Sequence, residues 1–197
     1  MKMVKTVLTV VAVAACTFIA SQAFADTVYF KAPMKFNGTG CKNASSVDYT
    51  GDGTDTLSIM FGGFDAANPS SEAVSKLKRS ACNFAVPVHV PQGFQVSLMT
   101  SDWRGYSDGG KNALKRKYFF AGKLTGAAKT SYPKGDFTIR DKLQHATLTW
   151  AKCGQDVTLR VNASLMADRR KKDSYIAVDT LDLKNYVKFK LSWKKCQ

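Results

Sequence analysis

The sequence is poor in the residues on which most catalytic and metal sites depend. It contains two histidines among 197 residues, and no two cysteines have the short spacing that structural zinc sites use. No serine lies in a Gly-x-Ser-x-Gly elbow, and Asp48, Asp52 and Asp55 fall short of an EF-hand loop. We therefore predict no metal, no cofactor and no catalytic residues, and we consider His89 and His145 poor candidates for a general base.

Acidic residues are scarce as well. The chain has 15 Asp and Glu against 29 Lys and Arg, and its formal net charge is +14. A field of this sign favours acidic partners, so we expect an acidic polysaccharide, lipopolysaccharide or another anionic surface. The alternative is that the charge only keeps the protein soluble.

One long hydrophobic run is present, and it lies at the N-terminus. Lys2 and Lys5 precede a nearly apolar stretch, residues 6–20, and Ala23-Phe24-Ala25 follows it. This order of charged, apolar and small residues is typical of a secretory signal. The run is too short to be a good membrane span. We predict a signal peptide over residues 1–25 and a single mature domain over residues 26–197 with no transmembrane span.

The signal predicts a secreted or periplasmic protein. A second interpretation is lipid anchoring, because Val13-Ala14-Ala15-Cys16 resembles a lipobox. Apolar Phe18, Ile19 and Phe24 would then follow the lipid, where a polar linker is usual. Cleavage after Ala25 is therefore the favoured prediction.

Four cysteines remain after such a signal: Cys41, Cys82, Cys153 and Cys196. An even number of cysteines in an oxidising compartment indicates disulfides. Three pairings are possible. We favour Cys41–Cys82 with Cys153–Cys196, because each bridge then closes one half of the chain.

Alternation of apolar and polar residues dominates the mature chain. Apolar Val187, Phe189 and Leu191 alternate with Lys188 and Lys190, and several other segments repeat this period of two, which indicates strands. Only residues 70–79 look helical. Many short strands without a long linker or a repeat predict one antiparallel β-sandwich, with a β-barrel as the alternative.

Six short motifs occur in a characteristic order along the chain. They are Gly38-Thr39-Gly40-Cys41, Pro91-Gln92-Gly93-Phe94, Asp102-Trp103-Arg104-Gly105-Tyr106, Tyr118-Phe119-Phe120-Ala121-Gly122, Trp150 with Cys153-Gly154, and Leu191-Ser192-Trp193 with Cys196. In this order the chain resembles the domain of unknown function 4360 family of small secreted proteins from fungi and bacteria. The resemblance implies export, four cysteines and a β-rich fold. It implies no activity, and the basic runs lie outside the pattern.

Two basic runs are candidate binding residues. Lys115, Arg116 and Lys117 precede the aromatic Tyr118-Phe119-Phe120, and a second run lies between two predicted strands. Cations beside aromatic rings bind phosphates, rings and sugars, although such runs are often only solvated loops. The second run consists of Arg169, Arg170, Lys171 and Lys172.

A third candidate is the segment 102–106, which we expect at the end of a strand before a glycine-rich loop. Trp103 and Tyr106 would stack on a ligand ring, and Asp102 and Arg104 would supply polar contacts. The structural alternative is a turn in which Asp102 pairs with Arg104 and Tyr106 packs.

These observations predict a secreted, non-enzymatic binding module for an acidic polymer or envelope surface, engaged through the basic loops. The alternative is a protein-interaction or inhibitor domain that binds a specific partner through residues 102–106. A hydrolase is the third and least favoured class, because no catalytic constellation is evident.

Overall fold

The structure is a computed structural model, and it describes residues 27–42, 46–71, 75–121, 127–143, 150–169, 172–178 and 186–197. The predicted signal peptide and Cys16 lie outside these ranges. So do His145, Arg170 and Lys171.

The described residues form thirteen strands and no α-helix. The strands are β1 (Tyr29–Phe30), β2 (Lys35–Asn37), β3 (Val47–Thr50), β4 (Thr56–Phe61), β5 (Asp65–Asn68), β6 (Leu77–His89), β7 (Phe94–Gly109), β8 (Lys111–Phe120), β9 (Ala127–Ser131), β10 (Gly135–Lys142), β11 (Val157–Asp168), β12 (Ser174–Ala177) and β13 (Val187–Lys195). The helix predicted over residues 70–79 is wrong at its C-terminal end, because Leu77 begins β6 and pairs with Asp168.

The first sheet has the order β1-β6-β11-β8-β9, and β2 also pairs with β6. β1 and β2 pair with successive stretches of β6, opposite Val88 and Phe84 respectively. All of these pairings are antiparallel. β8 is therefore flanked by β11 on one side and by β9 on the other.

The second sheet is built around β7, its longest strand. β10 pairs with one side of β7, and β13 and β12 pair with successive stretches of the other side. β4 and β3 continue the sheet beyond β13, and β5 continues it beyond β12. The β-sandwich predicted from the sequence is confirmed.

The core lies between the sheets and follows the predicted alternation. In β13, Val187, Phe189 and Leu191 are buried, whereas Lys188 and Lys190 are exposed. The same period of two holds along β6 and β11 because one face of each strand packs inward. The Phe189 ring lies within 6.5 Å of the rings of three core residues, which come from both sheets: Phe84, Trp103 and Tyr118.

Both predicted disulfides are confirmed. Cys41 bonds Cys82 of β6 with a Cα–Cα distance of 5.4 Å, and Cys153 bonds Cys196 with a Cα–Cα distance of 6.0 Å. The first bridge holds the chain after β2 against the first sheet. The second bridge ties the segment before β11 to the end of β13, and the N–H groups of Ala151 and Gly154 in that segment donate to the carbonyls of Val96 and Phe94 in β7.

A buried polar network also joins the two sheets. Arg116 of β8 donates from Nε and Nη2 to the carboxylate of Asp141 in β10, over 2.7 and 2.9 Å. The hydroxyl of Tyr118 donates to Asp141 Oδ2 over 2.6 Å and accepts a hydrogen bond from Trp103 Nε1, also over 2.6 Å. The network fixes β8 over β7 and β10.

Candidate functional site

Three chain connections meet at one end of the sandwich, namely β7–β8, β9–β10 and β11–β12. They line a depression of about 480 Å³, and an adjoining depression of about 580 Å³ shares Gly109, Lys134 and Lys172 with it. We call the two depressions together the end groove. Its residues are Ser107, Asp108, Gly109, Gly110, Lys111, Asn112, Tyr132, Pro133, Lys134, Gly135, Arg169, Lys172 and Asp173.

Tyr132 presents an aromatic ring to the end groove, and this residue is 57% exposed. The ammonium group of Lys111 lies 5.0 Å from the centre of the Tyr132 ring. Lys134 and Lys172 line both depressions. An exposed ring is thus surrounded by cations that come from three separate connections.

Two carboxylates, Asp108 and Asp173, line the second depression. Asp173 accepts a hydrogen bond of 2.6 Å from the backbone N–H of Ser70. Hydrogen bonds from Ser70 lower the pKa of Asp173 below its usual value, and the nearby Arg169 acts in the same direction. Among the described residues that line the first depression, which holds Tyr132, there are cations and no carboxylate.

Asn112 forms the floor of the end groove. It is 4% exposed, and its Nδ2 lies within hydrogen-bond distance of Ser107 Oγ and of the carbonyl oxygens of Asp108 and Tyr175. The Ser174 hydroxyl donates to Asn112 Oδ1. One amide therefore links β7, β8 and β12, and it holds the floor in a single position.

A glycine permits the close contact of two of the connections. A Cβ added to Gly110 would lie 1.8 Å from the carbonyl oxygen of Asp168, a distance that no side chain tolerates. The N–H of Gly110 donates to the carbonyl of Asp173 over 3.3 Å. The β11–β12 connection can therefore pack directly against the β7–β8 turn.

Two residues of the predicted basic run, Arg169 and Lys172, line the end groove. Arg169 donates from Nη1 to the carbonyl of Ser70 over 2.8 Å, and its backbone N–H donates to Lys76 over 3.0 Å. Arg169 thus ties neighbouring segments together, whereas Lys172 is exposed. The structure does not describe Arg170 and Lys171.

The second predicted basic run is divided between two faces of β8. Lys115 and Lys117 are exposed on the outer face of the first sheet. Arg116 is 2% exposed, and Asp141 binds its guanidinium. The expectation that Arg116 takes part in surface binding is therefore corrected, because consecutive residues of a strand point to opposite faces.

The segment 102–106 is not a loop but the middle of β7. Trp103 is completely buried, and its indole N–H is bound to Tyr118. The expectation that Trp103 stacks on a ligand ring is therefore corrected, since the ring belongs to the core. Gly105 lies within the strand, where an added Cβ would meet the carbonyl oxygen of Ala177 at 2.0 Å.

The polar residues of this segment lie on the outer face of the second sheet. Asp102 accepts two hydrogen bonds from Arg140, over 2.7 and 2.6 Å, and these lower the pKa of its carboxyl group. Arg104 stacks over the Tyr186 ring at 4.6 Å. Tyr106 is 41% exposed, and its ring centre lies 6.5 Å from that of Tyr175.

Of the two histidines, His89 lies within the described residues. It belongs to β6 and lies away from the end groove. Its Nδ1 lies 3.0 Å from Asp156, whose carboxylate also accepts hydrogen bonds from Lys31 and from the N–H of Val90. These contacts tie β1 and β6 to the segment before β11. Nowhere in the described ranges do three or more His, Cys, Asp or Glu side chains come together as a metal-binding group.

Sequence reasoning missed Lys111, Tyr132 and Lys134. A local signal for two of them exists in Tyr132-Pro133-Lys134-Gly135, where proline and glycine mark a turn that carries an aromatic ring and a cation. Lys111 follows Gly109-Gly110, another turn signal. Nothing in the sequence alone shows that these turns meet.

The family model for "Domain of unknown function (DUF4360)" matches residues 32–196. This chain belongs to the DUF4360 family. A curated relative, "Uncharacterized secreted protein" of Arthroderma benhamiae, is 24% identical over 172 residues, which cover 83% of this chain and 70% of the relative. The resemblance drawn from the six sequence motifs is confirmed.

One comparison with solved structures aligns the DUF4360 chain with TmCBM61, solved in complex with β-1,4-galactotriose. The alignment covers 83% of this chain and 89% of the other, with a TM-score of 0.34 and 9% sequence identity. A similarity at this level carries no argument about the function of the present protein.

Several motifs that carry the family resemblance serve the fold of the DUF4360 domain. Cys41, Cys153 and Cys196 form the disulfides, and Trp103 and Tyr118 belong to the core. Two disulfides indicate folding in an oxidising compartment. No segment of the described chain forms a helix with the length and apolarity that crossing a bilayer requires.

Proposed function

We propose that this DUF4360 domain is an exported, non-enzymatic binding module that holds an acidic polysaccharide in the end groove. The observation that carries the proposal is the exposed Tyr132 ring among Lys111, Lys134 and Lys172. A tyrosine ring stacks on the apolar face of a sugar, and ammonium groups bind the carboxylates that the sugar carries.

The support beneath these side chains favours binding. Asn112 of β8 holds the groove floor through hydrogen bonds to β7 and β12, and Gly110 lets the connections pack together. A floor that is already ordered loses little conformational entropy when a ligand binds. The three lysines are exposed, so their ammonium groups can reach the charges of a ligand.

Export to the outside of the cell is part of this proposal. The two disulfides, the predicted signal over residues 1–25 and the name of the Arthroderma benhamiae relative all support it. An extracytoplasmic protein meets acidic polysaccharides of cell walls and envelopes, and a basic surface attracts them.

The test uses one polymer in two forms, with its carboxyl groups free or esterified. Isothermal titration calorimetry would measure binding of the protein, with both disulfides formed, to polygalacturonate and to its methyl ester. We expect binding of the acid, at least tenfold weaker binding of the ester, and loss of affinity as salt rises, because salt screens exposed charges. Equal binding of both polymers, or binding of neither, would contradict the proposal.

A second candidate function is recognition of a protein partner by the outer face of the second sheet. The observation in its favour is the pair of neighbouring rings, Tyr106 and Tyr175, beside Arg104. Tyrosine and arginine are enriched at protein interfaces. This function predicts binding to a protein that persists in moderate salt and is lost in Tyr106→Ala, with polygalacturonate binding unchanged in that variant.

A further inference from the structure

We infer that the ligand is a linear polyanion that continues from the end groove along β8, across Lys115 and Lys117. This inference rests on the proposed function and extends it, because it assigns a second contact region and a minimum length to the ligand. We call Lys111, Lys115 and Lys117 the β8 track.

The register of the first sheet places the track on one face. Lys111, Ala113, Lys115 and Lys117 have the same parity along β8. The three lysines are exposed and Ala113 is buried, whereas Leu114 and Arg116 have the opposite parity and are buried in the core. Residues with the same parity in a strand point to the same side of the sheet. The groove lysine and the two face lysines therefore lie on one line.

The residues paired directly with Lys115 and Lys117 carry no negative charge. Directly across β11, Lys115 is opposite Ser164 and Lys117 is opposite Asn162. Further along the same outward row of β11 lies Arg160, opposite Phe119. The outward carboxylate of β11, Asp168, lies opposite Lys111, at the groove end of the track.

The outer face of the second sheet is different. Its lysine Lys188 is directly opposite Asp102, which Arg140 also binds. A carboxylate therefore lies beside two cations there. Among the described residues, Lys115 and Lys117 of the first sheet have no carboxylate directly opposite them.

The dimensions of the track require a chain as the ligand. Lys117 follows Lys111 by six positions, which is about 20 Å at a strand rise of roughly 3.3 Å per residue. A single small anion cannot reach both ends. Serine, asparagine and threonine beside the lysines offer hydrogen bonds to hydroxyl groups: Ser164, Asn162 and Thr130.

The far end of the track repeats the chemistry of the groove. The ammonium group of Lys117 lies 5.8 Å from the centre of the Phe119 ring, as Lys111 lies 5.0 Å from that of Tyr132. A cation beside a ring at each end is suited to a chain that carries both sugar rings and acidic groups. This favours an acidic polysaccharide over a surface of simple anionic phospholipids, whose head groups carry no sugar rings.

The experiment measures affinity against chain length. Galacturonate disaccharide, tetrasaccharide and octasaccharide would be titrated into the wild type, into Lys115→Gln/Lys117→Gln and into Lys188→Gln/Lys190→Gln. The last variant is the matched control, because it removes two exposed lysines at the same spacing from β13 of the other sheet. Both double variants lower the net charge equally.

We expect wild-type affinity to rise at least tenfold from the disaccharide to the octasaccharide. The Lys115→Gln/Lys117→Gln variant should bind the disaccharide with wild-type affinity. Its affinity should rise much less from the disaccharide to the octasaccharide, whereas the control variant should show the wild-type rise. Octasaccharide binding that is equal in both double variants overturns the β8 track.

Failure of the track and failure of the groove give different results. If Tyr132→Ala leaves disaccharide binding unchanged, the proposed groove function fails. If disaccharide binding depends on Tyr132 but affinity does not rise with length, only the track fails. Vesicles of anionic lipid, or DNA, that bind through Lys115 and Lys117 when the octasaccharide does not would also overturn the inference.

Discussion

Arg116 and Asp141 form a bidentate ion pair in the core of the sandwich, with Nε–Oδ2 and Nη2–Oδ1 distances of 2.7 and 2.9 Å. The two residues are 2% and 5% exposed. Arg116 comes from the first sheet and Asp141 from the edge strand of the second. The remaining donors of Arg116 reach the Leu114 carbonyl and Ser131 Oγ, so the buried charge is well solvated by the protein.

Removing one partner of this pair should strongly destabilise the fold. Arg116→Met leaves the Asp141 carboxylate buried without its cation, and we expect a loss of about 3–5 kcal/mol in the free energy of unfolding. Urea denaturation at neutral pH measures it. The double variant Arg116→Met/Asp141→Leu is the control and should lose less than either single variant, because neither charge remains. Single variants within about 1 kcal/mol of the wild type would contradict this account.

Tyr118 makes stability sensitive to alkaline pH. Burial raises the pKa of Tyr118, and the neighbouring carboxylate of Asp141 acts in the same direction. The folded protein therefore keeps this proton when the unfolded chain loses it near pH 10. Stability should fall as pH rises above about 10, and the ultraviolet absorbance of one tyrosinate should appear only on unfolding. Tyr118→Phe should remove this dependence and should cost about 1–3 kcal/mol, because Trp103 Nε1 loses its acceptor.

The two disulfides should contribute similarly to stability. Their sequence separations are 41 and 43 residues, so the chain-entropy model assigns them nearly equal effects. Cys41→Ser/Cys82→Ser and Cys153→Ser/Cys196→Ser should each lose about 2–5 kcal/mol, measured by urea denaturation. A difference of several kcal/mol between the two would show that native-state contacts, rather than loop length, decide the contribution.

Gly110 should be essential to the end groove. An alanine Cβ there would overlap the carbonyl of Asp168, so Gly110→Ala should displace the β11–β12 connection that carries Lys172. We expect at least a tenfold loss of polygalacturonate affinity. Gly53→Ala is the control, since that position lies outside the end groove, the space around it is open and only its positive φ opposes the change. Equal affinities in the two variants would contradict the assigned packing.

The sequence allowed the strands, the sandwich and the disulfide pairing to be predicted, because each depends on a local pattern or on counting. The period of two in β13 shows directly which side chains of that strand are buried. The same rule, applied strictly to β8, would have separated Arg116 from Lys115 and Lys117. The prediction treated Lys115, Arg116 and Lys117 as one surface patch and therefore missed the buried pair of Arg116 and Asp141.

The segment 102–106 shows why glycine can mislead. Gly105 and the glycines that follow suggested a turn, yet Gly105 lies in β7 because the backbone of Ala177 is too close for a side chain. A close contact between distant strands leaves no local sequence pattern. The end groove was hidden for the same reason, since its residues come from three connections that only the sheet topology brings together.

The most direct test of the central claim compares two charge-matched variants for binding to polygalacturonate. Lys134→Gln/Lys172→Gln removes two lysines from the end groove, and Lys188→Gln/Lys190→Gln removes two from the outer face of the second sheet. If the groove is the binding site, calorimetry will show at least a tenfold loss of affinity in the first variant and less than a threefold loss in the second. Equal losses would mean that only net charge matters, and the groove would not be the site.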